Sequence, residues 1–400
     1  MHLFALLTGL ATLCLIGLGG LVTSHGVGMA VPDWPNTYGY NMFLFPVSKW
    51  VGGVLYEHTH RLVASAVGLL TTALAAWLWA RETRGRTRWL GVVSLITVVV
   101  LLGIRHMPVY LGLAASGLVM IVIALVRAAK SGWSLRWLGM AAFSAVVVQG
   151  VLGGLRVVWA QDEIGVFHAA LAQLFLALLA IICLLTSRWW SEQSASGSAA
   201  TDGVARVNPA RANVLLLATT SLIFLQLLIG ATMRHQHAGL AIPDFPLAYG
   251  SVWPDISPEA VARYNQQRIE TVAQNPITTV QIILQMAHRI TAAAIVVMVI
   301  WCFVKVRKVA PQGSEMRRLA SFWVLLICIQ FGLGAWTIWS NKAADVASVH
   351  VICGALSLVT GGLLCVISAR LRVGAASRMA NRQADLSSPL MGNAVGTAVK

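Results

Sequence analysis

Apolar residues run along this chain in blocks of about twenty, separated by short polar stretches. A hydrophobic helix of that length crosses a bilayer core of about 30 Å, and a helix satisfies its backbone groups internally. The pattern predicts spanning helices near 3–23, 57–80, 89–104, 108–127, 136–159, 165–187, 211–233, 279–305, 317–340 and 346–370. No signal-peptide cleavage pattern interrupts the first block, so it is kept as a span. Leu90 to Ile104 is short for a full crossing, and the 89–127 pair either crosses twice or forms a re-entrant hairpin. Both choices leave the remaining topology unchanged.

The polar stretches divide into two kinds. One set holds Arg81, Arg84, Arg86 and Arg88, then Arg127, Lys130 and Arg136, then Lys305, Arg307, Lys308, Arg317 and Arg318. The other set is poor in positive charge: Gly26 to Tyr56 has one Lys and one Asp, and Arg234 to Thr278 has three Arg against four acids. The positive-inside rule puts both termini in the cytoplasm and the two long loops outside. Residues 191–210, rich in Ser, Ala and Gly without apolar period, read as a flexible cytoplasmic linker between two halves, 1–190 and 211–373. Residues 374–400 lose hydrophobicity and read as a disordered cytoplasmic tail. Ser257-Pro258-Glu259 is a helix-start signature and predicts a short surface helix from Pro258 to Ala273.

Composition narrows the class. Of 400 residues, 58% are hydrophobic and 11% charged, and the mean hydropathy is +0.75. Globular chains carry roughly a quarter charged residues, so a soluble enzyme is excluded. The formal charge of +15 would suggest nucleic acid in a soluble chain, but here the positives sit in short loops, and membrane lipid is the partner they imply. Cys14, Cys183, Cys302, Cys328, Cys353 and Cys365 all lie in apolar stretches without a CxxC, so they read as small buried hydrophobes.

The chain repeats itself. Gly28 to Gly39 recurs as Gly239 to Gly250, with seven of twelve positions identical, including both prolines and the aspartate of Pro32-Asp33-Trp34-Pro35 and Pro243-Asp244-Phe245-Pro246. Glu57-x-x-His60-Arg61 is matched by Gln285-x-x-His288-Arg289, Gln149 to Gly153 by Gln330 to Gly334, and His168 by His350. The order is the same in both halves and matched helices run the same way. The fold class is therefore an all-α polytopic membrane protein of two four-helix bundles, related by a pseudo-two-fold axis along the membrane normal, with a hairpin at 89–127 inserted in the first half.

Each half carries two histidines on different helices at similar depth near the outer ends: His60 with His168, and His288 with His350. Facing imidazoles in a helix bundle hold a haem iron from both sides. A single histidine there is most simply a hydrogen bond to a neighbouring helix; four at equivalent places in two copies point to metal ligation, and no Cys accompanies them to suggest zinc. Arg61 and Arg289 follow the first histidine of each pair. They either clamp haem propionates or snorkel to headgroups. Glu57 shares a helix face with His60 and is replaced by Gln285 in the second half, which keeps the shape and discards charge and proton chemistry. Glu57 is thus the candidate catalytic group, against the plainer reading of an ion pair with Arg61. The proline-bracketed Asp loops are stiff and read as lids over the outer mouths. His58 points away from the Glu57 face, and His25, His106, His235 and His237 read as solvated or interfacial.

Together these motifs resemble the haem A synthases of bacterial and mitochondrial inner membranes, over nearly the whole chain apart from the hairpin, linker and tail. The resemblance implies an eight-helix core in which His288 and His350 hold haem b. It implies that the first half binds the substrate, haem O, near His60 and His168, with Glu57 essential. The implied reaction oxidises the C8 methyl group of haem O through an alcohol to the formyl group of haem A. The implied partners are a haem O synthase upstream and cytochrome c oxidase assembly factors downstream; a homo-oligomer stays open. Many bacterial relatives carry a cysteine pair flanking the first loop, whereas this chain has Val31 and Thr37 there. Two competing readings are a di-haem electron-transfer cytochrome, which has no use for the Glu57/Gln285 asymmetry, and, more remotely, a transporter.

Overall fold

The computed structural model describes residues 1–104, 106–195, 209–267 and 276–387. Among them, ten helices are long and apolar enough to cross a membrane. In chain order the helices are α1 His2–Ser24, α2 Gly52–Glu82, α3 Gly85–Leu102, α4 Met107–Lys130, α5 Leu135–Trp159, α6 Asp162–Leu185, α7 Arg188–Ala195, α8 Pro209–His235, α9 Pro258–Gln266, α10 Thr279–Val309, α11 Glu315–Trp339 and α12 Ala344–Ser387. Their ends follow local chemistry. The Thr278 side chain accepts from Gln281 N while the Gln281 side chain takes the Thr278 N–H, a capping box that starts α10. The Ser257 hydroxyl caps α9. Ala160 in a left-handed conformation ends α5.

Helices α1, α2, α5 and α6 close one ring, each touching the next, and α8, α10, α11 and α12 close a second. Between the rings, α1 packs on α12, α6 on α8, and α6 on α12. Exchanging α1 with α8, α2 with α10, α5 with α11 and α6 with α12 maps this contact pattern onto itself, which is the two-fold duplication that the repeat predicts. Gly17 and Gly20 let α1 approach α12 closely: a Cβ on them would lie 2.9 Å from Ile352 and 3.2 Å from Ser348.

The tight apolar packing of each ring lies toward the end with the basic turns. In the first ring it holds Leu74, Leu78, Leu138, Leu179 and Ile182; in the second it surrounds the fully buried Trp323, whose indole N–H donates to Ser357 O at 2.9 Å. The opposite end of each ring, beneath the two long loops, carries the histidines.

Helices α3 and α4 stand outside the first ring against α2 and α5. The Trp79 indole lies on Gly91, where any Cβ would collide with it, and donates to Thr87 O at 3.0 Å. At about 1.5 Å per residue, helices of 18 and 24 residues are about 27 and 36 Å long, and both are among the ten helices long and apolar enough to cross a membrane. Leu90, Val93, Val100, Val119 and Val122 are exposed on them, a lipid-facing surface.

Three boundaries differ from expectation. The first residues of the expected 191–210 linker are helical, as part of Arg188–Ala195. The surface helix at Pro258 ends at Gln266, and its expected residues 268–273 lie outside the described ones. Helix α12 runs on to Ser387, through a stretch read as disordered tail, because Ala, Arg and Met between 375 and 380 are strong helix formers despite their low hydropathy. Residues 196–208 and 388–400 of the expected linker and tail lie outside the described residues.

Candidate functional site

Each long loop folds as a strap whose aspartate organises it from within. Asp33 accepts Tyr38 N at 2.7 Å and Gly39 N at 2.8 Å; Asp244 accepts Tyr249 N at 2.7 Å and Gly250 N at 2.9 Å. The Tyr38 and Tyr249 hydroxyls donate back to Ala30 O and Ala241 O. Tyr38 and Gly39, with φ of 51° and 77°, and Tyr249 and Gly250, with φ of 53° and 76°, turn the chain through the left-handed region, where glycine is unstrained and the Asp bonds hold the tyrosine. In the first strap Asn36–Thr37 pairs antiparallel with Tyr40–Asn41.

The straps are tied to the rings by the residues singled out in the repeat. Glu57 is buried; its Oε2 accepts Val31 N at 2.8 Å and its Oε1 pairs with Arg61 Nη2 at 2.6 Å. Gln285, also buried, accepts Ile242 N at 2.7 Å and donates to Ile242 O at 3.2 Å. Arg61 also donates to Asp33 O, Asn36 O and Val31 O at 2.7, 3.0 and 2.8 Å. Arg289 donates to Asp244 O at 2.6 Å and Leu247 O at 2.9 Å. Both guanidinium groups thus hold strap carbonyls, and Arg61 also holds Glu57.

Below the straps lie the four histidines, all half-buried, with His60 in electrostatic reach of His168 and His288 of His350. Every one of them rests on a glycine of the neighbouring helix. A Cβ on Gly19 would lie 3.1 Å from His60 Cε1, on Gly153 3.1 Å from His168 Cε1, on Gly230 3.2 Å from His288 Cε1, and on Gly334 3.2 Å from His350 Cε1. Glutamines brace the same level: Gln149 donates to His168 O at 2.8 Å and Gln226 to His288 O at 2.9 Å, while Gln330 Nε2 is 3.3 Å from His350 Nε2. The Nδ1 atoms of His60, His288 and His350 are buried without a hydrogen-bond partner, on the side of each ring that meets the glycine. Among the described residues no three His, Cys, Asp or Glu are grouped to hold a bare metal ion. A porphyrin iron takes two protein ligands rather than a group of three or more.

Sequence reasoning missed four features here. Gly19 and Gly230 stand among other small residues of their helices, and only packing reveals that they face histidines. His58, expected off the Glu57 face, is fully buried, with Nδ1 3.2 Å from the Thr37 hydroxyl and its ring between Phe45 and Trp50. His235 is covered rather than solvated: it lies against Gly165, with Nδ1 3.7 Å from Asp162. The inserted hairpin touches the first strap, where Tyr110 of α4 meets Trp34 edge-on at 4.6 Å and Gly154 leaves room for the indole. In the second half Phe245 is instead flanked by Phe331 and Trp339 of α11.

Comparison with known proteins agrees with this geometry. A family model described as "Cytochrome oxidase assembly protein", COX15-CtaA, matches residues 105–361, more than half of the chain. A protein of Shouchella clausii named haem A synthase is 25% identical over 257 residues, 64% of this chain and 66% of its own length. One of the same name from Exiguobacterium is 22% identical over 335 residues, 83% of this chain and 81% of its own. Another, from Shewanella oneidensis, is 30% identical over 160 residues, 40% of this chain and 46% of its own. With its duplicated straps and paired histidines, the chain belongs to the COX15-CtaA family, the family of the haem A synthases.

Proposed function

We propose that this protein is a haem A synthase, an oxidoreductase that converts the C8 methyl group of haem O, through an alcohol, to the formyl group of haem A for cytochrome c oxidase. The observation that carries this reading is the one chemical difference between two otherwise equivalent strap joints. Glu57 brings a carboxylate to the mouth of the first ring, where Gln285 brings an amide to the second. The first half, residues 1–190, is the substrate half and holds haem O near His60 and His168. The second, 211–373, keeps haem b between His288 and His350. The fit of the residues supports both assignments: each imidazole is seated in a glycine notch, and three have a buried, unpartnered Nδ1.

Bound haem b would supply a one-electron relay to the substrate half. The protein's own groups do the rest. His60 and His168 hold the substrate ring at fixed depth. Arg61 and Arg289 contribute to porphyrin binding by anchoring the straps over the mouths, which excludes water from the ring edge. The alcohol-to-formyl step releases two protons and two electrons, the electrons passing one at a time to an oxidant outside this chain, and Glu57 supplies a carboxylate that can take a proton or offset developing positive charge. The basic turns face the cytoplasm of a bacterial inner membrane, as do both termini, which puts the haem sites toward the outer side.

Haem extraction tests this. Membranes making the protein together with a haem O synthase are extracted and the pigments separated by chromatography, beside a Glu57→Ala version. The reading expects haem A from the first and only haem O, or stalled alcohol, from the second. Haem b and haem O alone in both, from a folded and coloured protein, would overturn it.

A further inference from the structure

Arg61 spends its terminal N–H groups on three strap carbonyls and on Glu57, so it is not the natural donor to the carboxylates of a porphyrin bound in the first half. A different arginine stands open. Arg156 lies on α5 three residues after Gly153, hence on the same helix face and one turn nearer the loops than the notch that seats His168. Its side chain is 18% exposed. It lies against Gly28 at the root of the first strap, where a Cβ would come 2.6 Å from Nη1. Its Nε is buried with no hydrogen-bond partner. Among the described residues the acid paired with it, Asp162, is itself 62% exposed and 3.9 Å away, too far for a hydrogen bond.

The surroundings add positive rather than negative charge. On α6, Asp162, Gly165 and His168 recur every third residue along one stripe. His235, from the end of α8 in the other half, covers Gly165 of that stripe. Arg156 is within electrostatic reach of His60, His168 and His235 together. A half-covered guanidinium and an imidazole, facing one loosely placed acid just outside a histidine pair, form a receptor for an organic carboxylate. The second half has Thr337 at the place of Arg156, so this receptor belongs to the substrate half alone.

We propose that Arg156, backed by His235, receives a propionate carboxylate of the porphyrin held by His60 and His168. This rests on the reading of those histidines as its axial ligands. Two axial imidazoles fix the tilt and depth of a porphyrin but leave it free to turn about the His–iron–His axis. Both propionates lie on one edge of the ring, so a cation at the seam of the two halves fixes that rotation. It thereby decides which ring methyl is brought to Glu57. Arg156 is in this sense a positioning and specificity-determining residue.

The test uses full-length protein carrying its resident haem, titrated with iron protoporphyrin IX and, separately, with its dimethyl ester. Wild type is expected to bind the diacid on the order of tenfold more tightly than the ester. Arg156→Gln should remove that preference and Arg156→Lys keep part of it, with the resident haem spectrum unchanged as the check on folding. With haem O as substrate, Arg156→Gln should also yield formyl groups on more than one ring position. Equal affinity of wild type for acid and ester, as expected if a lipid phosphate occupies Arg156, would overturn the proposal, and so would undiminished preference in Arg156→Gln. Failure of the underlying reading looks different: His60→Ala would then bind the added porphyrin as well as wild type does.

Discussion

Glu57 and Gln285 occupy one joint in two copies of the same machine: each accepts the backbone N–H of the strap residue before Pro-Asp, Val31 at 2.8 Å and Ile242 at 2.7 Å. The shared hydrogen bond shows that neither shape nor strap anchoring requires a carboxylate there. What Glu57 adds is charge, and with it the ion pair to Arg61 at 2.6 Å.

It follows that Glu57→Gln separates structure from chemistry. The amide reproduces the joint found in the second half and Arg61 keeps its three strap carbonyls, so stability is expected to fall by less than the roughly 3–5 kcal/mol lost when a buried ion pair is broken outright. Haem A formation, by contrast, should fall by roughly 10²-fold or more, the usual contribution of a positioned acid–base group. Thermal unfolding and pigment chromatography on the same preparation check both halves of the statement.

The glycine notches predict selective loss of one porphyrin. A side chain at Gly334 would meet His350 Cε1 from 3.2 Å outward, so Gly334→Leu should push that imidazole off its seat. Overpacking of this kind destabilises by about 1–3 kcal/mol, and the helical signal of the purified variant checks that the fold is kept. Bound haem b, measured by pyridine haemochrome per protein, is expected to drop sharply, whereas Gly153→Leu should leave it in place and abolish haem A formation instead.

Much of this site was legible in the sequence because duplication isolates it: Glu57, Arg61 and the four histidines stand out by recurring in order. The glycines at 153 and 334 were visible for the same reason, being part of a repeated motif. Gly19 and Gly230 were not, because small residues surround them and helix rotation decides which one faces an imidazole. His58 illustrates the opposite failure. It was placed off the Glu57 face, and its burial comes from Phe45 and Trp50, in a segment that the second half does not repeat. The direction of Arg61 was open for a related reason: five donors can serve headgroup, propionate or backbone, and only the folded strap presents three carbonyls at bonding distance.

The hairpin acquires a physical role through Tyr110. It is nearly fully buried and braces Trp34 of the first strap, as Phe331 and Trp339 brace Phe245 in the second. An aromatic pair contributes about 0.5–1.5 kcal/mol beyond its buried area. Tyr110→Ala should therefore loosen the first strap alone. Turnover of haem O is expected to fall while the resident haem b content stays constant; a parallel loss of both would mean that the hairpin supports the whole bundle rather than one lid.

Sidedness is the remaining structural premise, and two exposed positions decide it. Val252 is 86% exposed in the second long loop, and Gln312 is exposed in the turn between α10 and α11, close to Arg307, Lys308, Arg317 and Arg318. The native cysteines lie within membrane-spanning helices, where a water-soluble reagent finds little reactive thiolate. A membrane-impermeant maleimide applied to intact cells should label the Val252→Cys variant at once. It should label the Gln312→Cys variant only after permeabilisation. The reverse pattern would put the straps, Glu57 and all four histidines on the cytoplasmic side. It would also mean that the Lys and Arg of the short turns had failed to set orientation, against the positive-inside rule.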